Sequence, residues 1–107
     1  PGESNVLDPT EPTGIDPMES TGYSLKASYP NPFQHATTIR YRIPVREQVK
    51  IAVYNSMGEL VEVLVNQRQS KGIHTIRWHA EGLAPGVYFY RMTSGNYSAV
   101  KRALIVR

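Results

Sequence analysis

From Tyr23 onward the chain alternates apolar and polar positions in short runs rich in Val, Ile, Thr and Tyr. Period-two alternation of that length marks half-buried β-strands. Seven runs are predicted as strands, at 23–28, 37–43, 48–54, 60–65, 72–78, 86–93 and 97–106. Turn-forming residues fall between them: Pro30-Asn31-Pro32, Pro44, Ser56-Met57-Gly58-Glu59, Ser70-Lys71-Gly72, Glu81-Gly82 with Ala84-Pro85-Gly86, and Ser94-Gly95-Asn96. No stretch of useful length carries the i, i+3, i+4, i+7 pattern of an amphipathic helix. Seven short strands at this spacing predict an all-β fold, a seven-stranded antiparallel β-sandwich.

The alternation also assigns faces. Ile39, Tyr41 and Ile43 share one side of the second strand against Thr38, Arg40 and Arg42, and Val49, Ile51 and Val53 oppose Lys50, Ala52 and Tyr54 in the third. In the fifth strand His74, Ile76 and Trp78 fall together, and in the sixth Tyr88, Tyr90 and Met92 oppose Val87, Phe89 and Arg91. These aromatics are expected at the centre of the core, where each buried apolar side chain contributes about 1.5–3 kcal/mol.

Residues 1–22 break the pattern. They hold four prolines, three glycines and few large apolar side chains, and read as an extended linker to an upstream domain, with the folded domain at 23–107. Charge divides at the same place. Residues 1–22 carry five carboxylates and no Lys or Arg, whereas the remainder has twelve basic and four acidic groups, so that −5 faces +8. Such asymmetry fits an acidic segment folding against a basic face, or a basic module meeting an anionic partner. There is no cysteine, so neither a disulfide nor a thiolate site can staple the fold. No apolar run approaches the roughly 18 residues of a membrane-spanning helix, and Pro1-Gly2-Glu3-Ser4 does not open a signal peptide.

Catalytic chemistry finds little footing. His35, His74 and His79 are the only imidazoles, and their spacing does not converge them on a metal ion, so no metal site and no cofactor are expected. None of the serines sits in a strand-to-helix nucleophile turn. Glu47, Glu59, Glu62 and Glu81, the carboxylates of the folded part, are placed at turns or on a solvent face rather than paired across a cleft. Gly82 and Gly86 precede no helix that could cradle a phosphate. The chain is expected not to be an enzyme. Arginines alternating along strands read as a solvated sheet face, so no nucleic-acid partner is expected. A sugar-stacking platform built from Tyr29, Tyr54 or Tyr97 is the competing binding reading.

Several blocks carry a resemblance. Tyr29-Pro30-Asn31-Pro32-Phe33, followed by Thr37-Thr38-Ile39-Arg40-Tyr41, resembles the opening of the type A C-terminal sorting domains of the type IX secretion system. Val49-Lys50-Ile51-Ala52-Val53-Tyr54-Asn55 with Met57-Gly58-Glu59-Leu60-Val61 is similar to that family's second block. Gly72-Ile73-His74-Thr75-Ile76-Arg77-Trp78, leading to Leu83-Ala84-Pro85-Gly86-Val87-Tyr88-Phe89-Tyr90-Arg91-Met92, is similar to its third, and Lys101-Arg102-Ala103-Leu104-Ile105-Val106-Arg107 to its basic-apolar terminus.

The resemblance implies an immunoglobulin-like β-sandwich that acts by being recognised. Its implied partners are an outer-membrane translocon, a sortase-like peptidase and an upstream cargo domain, with a secreted or cell-surface destination reached through the periplasm of a Gram-negative bacterium. The implied recognition residues are Gly86, Val87 and Tyr88 with Lys101 and Arg102, and Pro30, Asn31 and Pro32 shape the loop leading into the second strand. A terminal strand presenting unpaired backbone beside basic side chains suits strand addition to a partner, or self-association through that edge. The Gly72 to Met92 block is also similar to the immunoglobulin-like domain of flagellar hook-capping proteins, which would make the module an assembly part. The Tyr-Pro-Asn-Pro-Phe opening and the expected placement at the end of a larger protein favour sorting. A C-terminal cell-attachment or carbohydrate-binding module is the remaining alternative.

Overall fold

The computed structural model describes residues 22–107, and the expected linker at 1–22 lies outside the described residues except for Gly22. Seven strands are described: β1 (Ser24–Leu25), β2 (Ala36–Ile43), β3 (Glu47–Asn55), β4 (Leu60–Gln69), β5 (Gly72–His79), β6 (Gly86–Ser94) and β7 (Tyr97–Ile105). They form two antiparallel sheets, β1-β2-β5 and β4-β3-β6-β7. With strands lettered in chain order the division is ABE against DCFG, which differs from a constant-type immunoglobulin sandwich in the sheet taken by the fourth strand.

The core is what the alternation predicts. Ile39, Tyr41 and Ile43 of β2, Val49, Ile51 and Val53 of β3, Trp78 of β5, and Tyr88, Tyr90 and Met92 of β6 are all buried. They join Leu25, Phe33, Val65, Tyr97, Ala103 and Ile105 in one cluster between the sheets. Trp78 lies at its centre, edge-on to Phe33 at 5.2 Å and to Tyr88 at 5.8 Å.

Three tyrosines add polar ties between the layers. Tyr23 donates its hydroxyl to Glu47 at the start of β3, Tyr41 of β2 donates to Gln69 Oε1 of β4, and Tyr90 of β6 donates to the Lys26 carbonyl at 2.8 Å. Each bond crosses from one layer to the other. Glu47, expected at a solvent-facing turn, is thus half-buried and engaged.

Two strands depart from expectation. β1 is shorter than 23–28 because its pairing with β2 becomes irregular: Lys26 N–H still reaches the Arg40 carbonyl at 2.9 Å, and Tyr29 meets Thr38 only as an isolated bridge. β4 runs on to Gln69 rather than stopping at 65, because Asn66–Gln69 pair with Glu47–Lys50 of β3. Those four residues are polar on both faces, as an edge strand allows, so their hydropathy carries no strand signal. The β6–β7 hairpin closes through Gly95-Asn96, where Gly95 takes φ 56° and a Cβ would strike the Glu47 carboxylate.

Candidate recognition surface

Segments far apart in sequence meet at one end of the four-stranded sheet. The register of β6 against β7 sets Val87 opposite Leu104 and Phe89 opposite Arg102. The Asn31-Pro32 loop closes over the outer edge of β7, and Asn31, Pro32, Val87, Arg102, Ala103 and Leu104 line a concavity of about 260 Å³.

Asn31 makes the joint. Its Nδ2 donates to the Arg102 carbonyl at 3.2 Å while its Oδ1 accepts from the Leu104 N–H at 2.9 Å, so one amide grips the strand's backbone twice. Phe33 continues the seam: its N–H donates to the Leu104 carbonyl at 3.0 Å, and its carbonyl accepts from Val106 N–H at 2.9 Å. Thr37 Oγ1 holds the loop from behind by donating to the Pro30 carbonyl at 2.6 Å. The Tyr29-Pro30 and Asn31-Pro32 bonds are both cis. Below the loop Phe33 packs on Trp78, which couples the seam to the core.

The neighbouring turn is braced by Arg107. This residue donates from Nη1 to the Leu83 carbonyl at 2.8 Å and from Nη2 to the Ala80 carbonyl at 3.0 Å, and Tyr88 donates its hydroxyl to the Ala84 carbonyl at 2.7 Å. The turn then enters β6 through Gly86 at φ 146°, a backbone state that disfavours any side chain even though the space beside the Cα is open.

The residues expected to be recognised divide on this frame. Val87 and Arg102 present their side chains outward beside Leu104 and Pro32, whereas Tyr88 is buried and Gly86 only shapes the backbone. Lys101 is exposed too, but strand alternation turns it to the sheet face opposite Arg102. The pair therefore does not form one basic patch. The expected free edge of the terminal strand is likewise halved, because Asn31 and Phe33 occupy its outer side from Arg102 to Val106. Among the described residues, no strand pairs with that side upstream of Arg102.

Other candidates disperse. Tyr97 is 4% exposed and stacks on Tyr23 at 5.0 Å, which withdraws it from any sugar platform. Tyr54 is half-buried with the Arg91 guanidinium 6.0 Å from the centre of its ring, and Tyr29, 82% exposed, stands apart. His74 stacks on Tyr41 and bonds the Ser70 carbonyl at 2.8 Å. Among the described residues, no group of three or more His, Asp or Glu could hold a metal ion.

The family model for the secretion system C-terminal sorting domain, of the type IX kind, matches residues 27–107. The chain belongs to this family. The sorting domain accordingly consigns its protein to the cell surface or the exterior, and its family is one of secretion signals rather than catalysts. The match spans all the strands from β2 to β7, and with them every residue of the concavity. No curated protein matches the chain significantly. The double grip of Asn31 and the brace of Arg107 escape sequence reading, since their partners lie far along the chain and neither carries a local signature.

Proposed function

We propose that the sorting domain, residues 23–107, is read by an outer-membrane translocon at the concavity formed by Pro32, Val87, Arg102 and Leu104, and so carries an attached cargo from the periplasm to the outside. The observation that supports this reading is the convergence of three sequence blocks characteristic of the family on one accessible surface. That surface joins exposed apolar side chains to one guanidinium, the mixture favoured at the centre of protein interfaces. A sortase-like peptidase then cuts upstream of the fold to free or anchor the cargo.

The test fuses residues 1–107 to an exported reporter in hosts with and without a working type IX translocon. Translocon-dependent delivery outside the cell, with the tail cut upstream of residue 23, is expected. Arg102→Glu or Val87→Asp should reduce delivery about tenfold or more, the scale of losing roughly 1.4 kcal/mol at a central contact. Lys101→Glu, on the opposite face, should have a much smaller effect. Periplasmic retention in both hosts would overturn the reading in favour of a cell-attachment or carbohydrate-binding module. Equal loss from the Lys101 and Arg102 variants would overturn the assignment of the face.

A further inference from the structure

The outer face of the three-stranded sheet carries charge of one sign. β1, β2 and β5 contain no Asp or Glu, and the carboxylates of the described residues lie in β3, in β4, or in the turns before β4 and after β5. Arg40 and Arg42 of β2 are exposed on this side, and Arg77 of β5 stands opposite Thr38, to whose Oγ1 its Nη1 donates at 3.2 Å. Between Lys26, Arg40, Arg42 and Ile73 lies a groove of about 310 Å³.

Two apolar side chains share that side. Residues paired directly across an antiparallel ladder point the same way, so Ile73 of β5 flanks Arg42, and Tyr29 flanks Thr38 at the isolated bridge. At 61% and 82% exposed, Ile73 and Tyr29 are two of the three most exposed large apolar side chains among the described residues. That mixture selects the partner. A soluble polyanion would engage the guanidinium groups and leave Ile73 and Tyr29 in water, and a second copy would set cation against cation. A lipid surface engages both kinds: anionic headgroups meet the cations, and apolar side chains enter the boundary between headgroup and acyl chain. Arg40 and Arg42, about 7 Å apart along β2, can converge on one phosphate, whose oxygens fit the guanidinium fork.

We propose that the outer face of the β1-β2-β5 sheet docks on a lipid surface bearing anionic phosphate headgroups. One headgroup phosphate occupies the groove between Arg40 and Arg42, Arg77 meets a neighbouring headgroup, and Ile73 and Tyr29 enter the layer beside them. The domain so held lies by one sheet against the lipid, while the concavity of Pro32, Val87, Arg102 and Leu104 on the other sheet stays open to a protein partner.

Sedimentation of the whole chain with vesicles tests this. At about 50 mM salt the chain should bind vesicles of phosphatidylcholine mixed with phosphatidylglycerol and not vesicles of phosphatidylcholine alone, and about 500 mM salt, where screening shortens to a few Å, should release it. Each Lys or Arg beside such a surface contributes about fivefold in affinity, so the double variant Arg40→Gln, Arg42→Gln should weaken binding about 25-fold with an unchanged melting profile. Ile73→Ser, which keeps every charge, should weaken it about fivefold. The double variant Lys50→Gln, Lys101→Gln removes the same charge from the four-stranded sheet and should change binding about twofold or less. Absence of binding to the anionic vesicles at low salt would overturn the proposal, and equal losses from the two double variants would show that net charge rather than this face is responsible. Displacement of the chain by soluble glycerol phosphate at matched ionic strength, or unchanged binding of Ile73→Ser, would overturn the lipid as the ligand in favour of free phosphate groups.

Discussion

Trp78 shows how one side chain can organise a small sandwich. It is fully buried between Phe33 of the β1–β2 loop and Tyr88 of β6, so it joins both sheets and the seam that holds β7. Truncation to Ala should cost about 3–5 kcal/mol through lost burial and the cavity left behind. That approaches the whole stability of a domain this size, so the variant should be unfolded or nearly so at ambient temperature. The indole Nε1 has no partner among protein groups. Trp78→Phe removes that unpaired donor while retaining most of the ring, and should lose clearly less than Trp78→Ala in urea unfolding. Equal losses would show that the N–H is satisfied and that volume does not decide the cost. The inward placement of Trp78 was legible from alternation alone, but its unpaired nitrogen was not, since that depends on what surrounds it.

The seam between the Pro30–Phe33 segment and β7 makes a further claim, about a pair of chain segments. A terminal edge strand would ordinarily offer its backbone to any partner, and here Asn31 and Phe33 satisfy its outer groups from Arg102 to Val106. Asn31→Ala should lower stability by about 1 kcal/mol, the net worth of exposed hydrogen bonds, and should speed hydrogen exchange at the Leu104 amide. Asn31→Asp keeps the acceptor for Leu104 and loses only the donor to Arg102, so its exchange rate should lie between. If Leu104 exchanges no faster in Asn31→Ala, the amide is not what closes the edge. Alternation identified β7 as a strand, predicted at 97–106 and observed at Tyr97–Ile105. Read along β7, alternation parts Lys101 from Arg102, which the family resemblance groups, but it could not reveal that β4 continues through Asn66–Gln69, where pairing with β3 replaces hydropathy as the cause of the strand.

The two sheets are held by apolar burial and by three phenolic ties, and those ties give the molecule a pH response. The Tyr23 hydroxyl is held above the usual phenol range, first by its hydrogen bond to Glu47 and then by burial; for Tyr41 and Tyr90 burial is the first cause. All three folded-state values exceed the ordinary 10.0, so the folded chain keeps protons that the unfolded chain releases. The associated stability is fully present below about pH 10 and is lost as pH rises through the raised values. The melting temperature should therefore fall steeply above about pH 10. Tyr90→Phe should melt lower at neutral pH, having lost its bond to the Lys26 carbonyl, yet decline less steeply in alkali. A melting curve flat across that range would refute the role of the phenols.

Strand number, the inward and outward sides of β2, β3, β5 and β6, the aromatic centre and the family all follow from local order along the chain, because period-two alternation, turn chemistry and short motifs are properties of neighbouring residues. The recognition surface follows from pairing between residues about seventy positions apart: Asn31 reaches Arg102 and Leu104 only after β6 and β7 have found their register. The same holds for Glu47, whose burial is set by Tyr23 from the opposite layer, and for Tyr97, withdrawn from the surface by stacking on that same ring. Local pattern specifies which way a side chain points. Which other side chains it then meets is a consequence of sheet order and register, and these are set by the packing of the whole sandwich.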